Sequence, residues 1–175
     1  MGFLDDDPTK KKIHQIPVLG KIDDIQKYKD DFYFIIGIGD NKIRKEIAES
    51  NTALNYYTAI HPTAVIGEGV RIGNGTAVMA GVVINIDADI GEHCIINTSA
   101  VIEHECVIGN YTHISPQACL CGNVHVGEEC HIGAGTTIIN NKNIVNNIII
   151  GAESVVIRDI NESGTYAGIP IRRIG

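Results

Sequence analysis

Starting at Ile60 and stepping by six, the chain places Ile, Leu or Val at seventeen successive stops through Val156, among them Ile66, Val78, Ile102, Leu120 and Ile138. Four residues after each stop runs a second series, small or β-branched, that includes Ala64, Thr76, Cys94, Thr112, Ala118 and Ser154, with Lys142 its one departure. A period of six fits neither the 3.6-residue helix nor simple strand alternation, and hexapeptide repeats are a signature of the parallel β-helix. Each hexad reads as a short flat strand plus a turn. Three hexads then close one triangular coil, and residues one coil apart stack. The repeat predicts nearly six coils, a prism roughly 27 Å long at a strand spacing of about 4.8 Å, with backbone groups paired from coil to coil. Cys94, Cys106 and Cys130 fall in the small inward series, where free cysteine serves as core filler.

Ahead of the repeat the rhythm changes. IPVLG reads as a short strand, KIDDIQKYKDD as a helical turn or two, FYFIIGIG as a buried strand, and DNKIRKEIAES as a helix with Asp40 as its N-cap. This predicts a small α/β unit over residues 1–57, the β-helix over 58–161, and a Gly- and Pro-containing closing segment over 162–175.

Composition narrows the classes of function. At 175 residues, 44% hydrophobic and 20% charged, the chain is ordinary globular material. Its net charge is −7 and no basic run exceeds Lys10-Lys11-Lys12, which argues against a nucleic-acid partner. The sequence shows no signal-peptide pattern and no long apolar run, so neither secretion nor membrane insertion is expected and the cytoplasm is the default address. Five cysteines without a C-x-x-C fit neither a disulfide framework nor a zinc ribbon.

The string INTSAVIEHECVIGNYTHIS (residues 96–115), set among the hexads and taken with GFLDDDP, IIGIGDNKIR and the terminal AGIPIRR, resembles the bacterial sialic-acid O-acetyltransferase and UDP-amino-sugar N-acetyltransferase family of hexapeptide-repeat acyltransferases. The resemblance covers essentially the whole chain. It implies a left-handed β-helix, an N-terminal Rossmann-like domain for the nucleotide-sugar acceptor, acetyl-CoA as co-substrate, and a homotrimer with active sites in the grooves between prisms. Members of the family open with a strand, a G-x-x-G-H-G turn and a helix, whereas this chain opens at the equivalent of the second strand. The expected fold class is therefore mainly β: a left-handed parallel β-helix preceded by a truncated Rossmann-like α/β unit. Without that Gly-rich turn, binding of a UDP-amino sugar is expected to be weak.

Acetyl transfer to an amine or hydroxyl needs a base, and an imidazole that ionises near pH 6.5 suits neutral conditions. The resemblance implies that His104 is that base, that Glu105 strengthens it, and that Glu103 and Asn97 support it. An isolated E-H-E stretch would otherwise read as a solvated polar turn. By the same resemblance His113, Gly122, Ala134 and Ala152 contact acetyl-CoA, and Asp5, Asp6 and Gly39 contact the acceptor nucleotide. An amide near Gly122 is a candidate donor to the oxyanion, and Arg172 and Arg173 read either as a solvated tail or as neighbours of the coenzyme phosphates. His113 and His131 lie one coil apart and invite a metal, but open zinc sites use three protein ligands and no third stands at an obvious spacing, so no metal is expected. Nor does the spacing match that of the β-helical carbonic anhydrases. The expected function is acetyl transfer to an amino group, or a hydroxyl, of a sugar or nucleotide sugar for surface-glycan synthesis. The alternatives are a hexapeptide acyltransferase with a non-sugar acceptor and a non-catalytic trimeric scaffold.

Overall fold

The computed structural model describes residues 1–175, and every hexad stop carries a strand. One face of the prism is built from Ala59–Ile60, Ala77–Val78, Ile95–Ile96, His113–Ile114, His131–Ile132 and Ile148–Ile150. The second runs from Val65–Ile66 through Val83–Ile84, Val101–Ile102, Cys119–Leu120 and Thr137–Ile138 to Val155–Val156. The third holds Arg71–Ile72, Asp89–Ile90, Val107–Ile108, His125–Val126 and Asn143–Ile144. All pair in parallel and in register, one coil apart, as His113 does with His131 and Ile114 with Ile132. The chain is the left-handed β-helix that the hexads and the resemblance predict.

The two periodic series fill the interior. The stops from Val78 to Val156 are buried, whereas Ile60 and Ile66, on the first coil with a neighbouring coil on one side only, remain 45% and 36% exposed. The second series does more than occupy space. Thr76 Oγ1 donates to the Gly91 carbonyl (2.8 Å), the Cys94 thiol to Gly109 (3.2 Å), Thr112 to Gly127 (2.8 Å) and Cys130 to Val145 (3.2 Å). Small polar side chains thus satisfy turn carbonyls inside an apolar core. Burial pushes the Cys94 thiol up to about 12 and those of Cys106 and Cys130 to about 11, and all five cysteines are free. These three are core filler, as expected.

From Gly69 to Glu153 each turn carries a residue of left-handed φ, a glycine at Gly69 (72°) but Glu105 (59°) and Tyr111 (60°) further on. Such a conformation costs a non-glycine residue about 1 kcal/mol. The ladder offsets that cost: the Glu105 N–H donates to the Ile86 carbonyl at 3.0 Å. After the repeat, Gly164–Ala167 adds to the first face beside Ile148–Ile150, and Arg172–Arg173 folds back antiparallel to it. Tyr166 and Ile171 are buried in the prism core, so this segment closes that end.

Two compact units are present. Residues 1–34 with 53–55 form the smaller, a three-stranded sheet in which Ile16–Gly20 lies between Phe3–Leu4, parallel to it, and Lys12–Ile13, antiparallel. A 3-10 helix, Ile22–Tyr28, provides the expected helical turns, and no βαβ crossover forms within this unit. FYFIIGIG is not the buried strand its composition predicts. Phe34 makes a single bridge, its N–H reaching Asn55 O at 2.9 Å, while Phe32, Tyr33 and Ile35 are exposed. Apolar character alone does not make a strand; its backbone needs a neighbouring ladder, and no strand runs beside residues 35–39. The larger unit takes residues 35–52 and 56–175, so that helix α1 (Asn41–Glu49) belongs with the prism. Its cap is the expected one, Asp40 accepting from the Ile43 N–H at 2.9 Å.

Candidate active site

His104 stands at the corner between the second and third faces, just ahead of the left-handed turn residue Glu105. Its Nδ1 lies 3.0 Å from Glu105 Oε2, with both side chains more than half exposed. A carboxylate only accepts, so Nδ1 donates, and in the neutral ring Nε2 keeps its lone pair. Nε2 points at Gly122, which occupies the same corner one coil further on. A Cβ at Gly122 would collide with Nε2 and come within 2.5 Å of Cε1. Gly122 is therefore the seat of the imidazole. Glycine at that position leaves room for the ring.

Glu103 and Asn97 hydrogen-bond to other partners within the prism. Glu103 Oε2 accepts from Asn85 Nδ2 at 2.9 Å, one coil back. Asn97 belongs to the first face, where its Nδ2 donates to His113 Nε2 at 3.1 Å and its Oδ1 accepts from the Thr98 N–H at 2.8 Å. His113 and His131 stack with ring centroids 4.8 Å apart, and His131 Nε2 lies 3.2 Å from Ser115 Oγ. Burial, then the neighbouring His131 and then Arg44 push His113 down to about 4; burial and Arg44 lower His131 as well. No third metal-type ligand joins this pair.

Beside His131 opens a cleft of ≈ 460 Å³, lined by Gly39, Asp40 and Asn41 at the start of α1 and by Lys42, Glu129 and Asn147 among others. Gly39 thus shares the first-face cluster with His131. Ala134 and Ala152 stack one coil apart at the corner between the first and second faces, Ala152 exposed, with the Glu153 N–H donating to the Ala134 carbonyl at 2.7 Å. In the smaller unit both carboxylates serve local structure. Asp5 binds Lys10 Nζ (2.8 Å) and the Asp7 N–H (2.9 Å), and the Lys10 hydrogen bond holds it below the usual carboxylate range. Asp6 accepts the Ile22 N–H at 2.9 Å, at the start of the 3-10 helix. Arg173 is exposed and paired with Glu162 at 2.7 Å.

Sequence reasoning missed Arg44. It is 1% exposed, and its guanidinium donates to the carbonyls of His93 (2.7 Å), Tyr111 (2.7 Å), Ile38 (2.9 Å) and Gly39 (3.2 Å) and to Asn41 Oδ1 (2.7 Å). It missed His93 too, buried between Tyr56 (4.4 Å between ring centroids) and Tyr111 (5.6 Å). The one available signal was the hexad register, which puts His93, Tyr111 and Glu129 in a single column facing whatever covers that corner.

Comparison with known proteins identifies the family. Residues 1–51 match the PglD N-terminal domain, and residues 43–156, well over half the chain, match the GMPPB C-terminal domain. The acetyltransferase domain of PglB from Neisseria gonorrhoeae FA1090 is 32% identical with a TM-score of 0.95, across 99% of this chain and 86% of that one. PerB from Caulobacter crescentus, solved with CoA and GDP-perosamine, is 36% identical with a TM-score of 0.93, across 99% and 84%. A curated relative, UDP-N-acetylbacillosamine N-acetyltransferase of Bacillus subtilis (strain 168), is 43% identical over 62 residues, a match spanning 34% of this chain and 28% of that protein. With its hexad prism, its His104–Glu105 corner and these likenesses along nearly its full length, the chain belongs to the sugar N-acetyltransferases of the left-handed β-helix, hexapeptide-repeat family.

Proposed function

We propose that the chain is an acetyl-CoA-dependent N-acetyltransferase acting on the amino group of a nucleotide sugar, with His104 as general base. One observation carries the reading: His104 Nδ1 is 3.0 Å from Glu105 Oε2, so that in the neutral imidazole Nδ1 donates to the carboxylate and Nε2, which lies against Gly122, keeps its lone pair for a proton. In the reaction the acceptor nitrogen attacks the thioester carbonyl, Nε2 takes the ammonium proton as the C–N bond forms, and the proton passes to the departing thiolate, giving amide and free CoA. An amide N–H beside Gly122 is the donor for the developing oxyanion.

The remaining groups sort by face. His104 and Gly122 stand at the corner between the second and third faces, whereas His113, Asn97, His131 and Gly39 gather on the first face. One prism keeps these clusters on separate sides. A homotrimer, with one copy's corner set against another's first face, completes each site and places His113, Ala134 and Ala152 along the coenzyme. Gly39, in the cleft beside His131, is assigned to the acceptor nucleotide. Five free thiols suit the cytoplasm, and no helix is long and apolar enough to cross a membrane. The acetylated sugar is assigned to surface-glycan synthesis.

Calorimetry with acetyl-CoA, followed by mass spectrometry of a panel of GDP- and UDP-linked amino sugars incubated with protein and acetyl-CoA, tests the reading. An acceptor gaining one acetyl group on nitrogen supports it. Acetyl-CoA binding with acetylation only of hydroxyl or non-sugar acceptors overturns the substrate assignment, and absence of acetyl-CoA binding leaves a trimeric scaffold.

A further inference from the structure

Helix α1 presents its most polar side to the prism. Asn41, Arg44, Lys45 and Ala48 turn inward, Arg44 and Ala48 fully buried, while Ile43 is 46% exposed. The contacts follow the prism's own repeat: Arg44 reaches the carbonyls of His93 and Tyr111, Lys45 pairs with Glu129, and Asn41 Nδ2 donates to the Cys130 carbonyl at 2.9 Å. Residues 93, 111 and 129 stand one above another, so a single helix is fixed to three successive coils. The Arg44 guanidinium forms no ion pair. All its partners are carbonyls or the Asn41 amide oxygen, and Asp40, the nearest carboxylate, is engaged in capping the helix.

A guanidinium stays charged even when buried. One held by neutral acceptors leaves its field uncompensated, and a like charge in the same low-dielectric neighbourhood is strongly disfavoured. His113 and His131 are in that neighbourhood. His113 lies two residues after Tyr111, whose carbonyl Arg44 holds, and His131 directly follows Cys130, whose carbonyl Asn41 holds. The two rings stack, the Gly39 backbone bonds His113, and Asp40, Lys42 and Glu129 line the cleft beside His131. We propose that Arg44 is a positioning residue: from α1 it pins the Gly39–Asn41 turn beside the histidine pair and adds to the burial that excludes a second positive charge from His113 and His131.

The consequence is a fixed hydrogen-bond polarity. Asn97 can donate to His113 Nε2 only while that nitrogen carries no proton, and the Asn97 amide cannot simply flip, because its Oδ1 already holds the Thr98 N–H. Protonating His113 would set two donors against each other at 3.1 Å. If this face contacts acetyl-CoA, as the functional reading holds, Arg44 keeps the contact surface in one hydrogen-bonding state across the pH range in which an ordinary histidine changes.

NMR titration of the imidazoles in the ligand-free protein tests the proposal without reference to the reaction. In the wild type, His113 and His131 should stay neutral well below pH 6.5; ordinary titration of both would overturn the idea with no variant needed. In Arg44→Met both titrations should move up, and in Arg44→Lys, which retains the charge, they should move less. Unmoved titrations in a folded Arg44→Met would overturn it as well. Acetyl-CoA calorimetry between pH 5 and 8 forms the second arm. Affinity in Arg44→Met should fall at the acid end together with the imidazole titration while the wild type holds level. If the titrations shift and no variant binds acetyl-CoA at any pH, the charge exclusion stands and the functional reading fails.

Discussion

Gly122→Ala isolates the catalytic corner more cleanly than removal of the base itself. Gly122 does not need positive φ, so alanine fits its backbone, and such a change by itself adds a few tenths to 1 kcal/mol of stability. The conflict is with one side chain. The new methyl would lie 2.5 Å from His104 Cε1 and 3.0 Å from Cδ2, where ordinary contact is 3.4–4 Å. The imidazole must retreat by roughly 1 Å, and it can do so cheaply because it is 53% exposed. A misplacement of that size costs about 10²-fold in rate. The expected outcome is therefore an unchanged or slightly raised Tm with kcat reduced about a hundredfold. A double-mutant cycle sharpens the test: if the glycine acts through the ring, His104→Ala/Gly122→Ala is no slower than His104→Ala alone. Wild-type kcat in Gly122→Ala would refute the seat, and a further loss in the double variant would show that the methyl obstructs the coenzyme directly.

Three further outcomes are expected. His104→Ala should lower turnover by about 10²–10⁴-fold with acetyl-CoA affinity nearly intact, since Nε2 touches the proton in transit and not the coenzyme's length; parallel kinetics and calorimetry separate the two. His113, held near 4 in the fold against about 6.5 when unfolded, contributes stability that is complete above pH 6.5 and is lost as pH falls toward 4, with His93 and His131 acting in the same direction. The Tm should accordingly drop on acidification from pH 7 to 4.5, and by less in His113→Asn; parallel Tm–pH curves would contradict the assignment. Light scattering at micromolar concentration should return a trimer, and a clean 18.9 kDa species would remove the basis for sites shared between prisms.

What the sequence makes legible follows from how local each interaction is. The β-helix could be read from period alone because every hexad meets the same environment, so one rule covers Ile84, Ile102 and Leu120 alike. That register also carries more than the core. Residues one coil apart are neighbours, and His104 over Gly122, His113 under His131 and Asn123 bonded to Asn141 at 2.9 Å are pairs of this kind. The link between Asn97 and His113 is also legible once the faces are assigned, and within one prism it sets Asn97 on the first face rather than at the His104 corner.

Helix α1 lies beyond that rule, and amphipathicity misleads there. A pattern reader turns Ile43 and Ile47 toward the prism and Arg44 toward water. The surface the helix meets is not the apolar core, which is sealed inside the coils, but a corner where turn carbonyls of successive coils point outward. Such a surface asks for donors. Arg44 supplies five hydrogen bonds and Asn41 one, so the favourable face is the polar one and Ile43 is left at the surface. The same reasoning explains why FYFIIGIG misled: strongly apolar residues identify what would be stable beside a partner strand, and composition does not say whether one is there. Where an element packs against a solenoid corner, hydrogen-bond demand should be assigned before hydrophobicity. By that criterion the buried polar residue of DNKIRKEIAES is the one with the most donors, Arg44, and its charge adds to the burial that lowers the basicity of the histidines beside it.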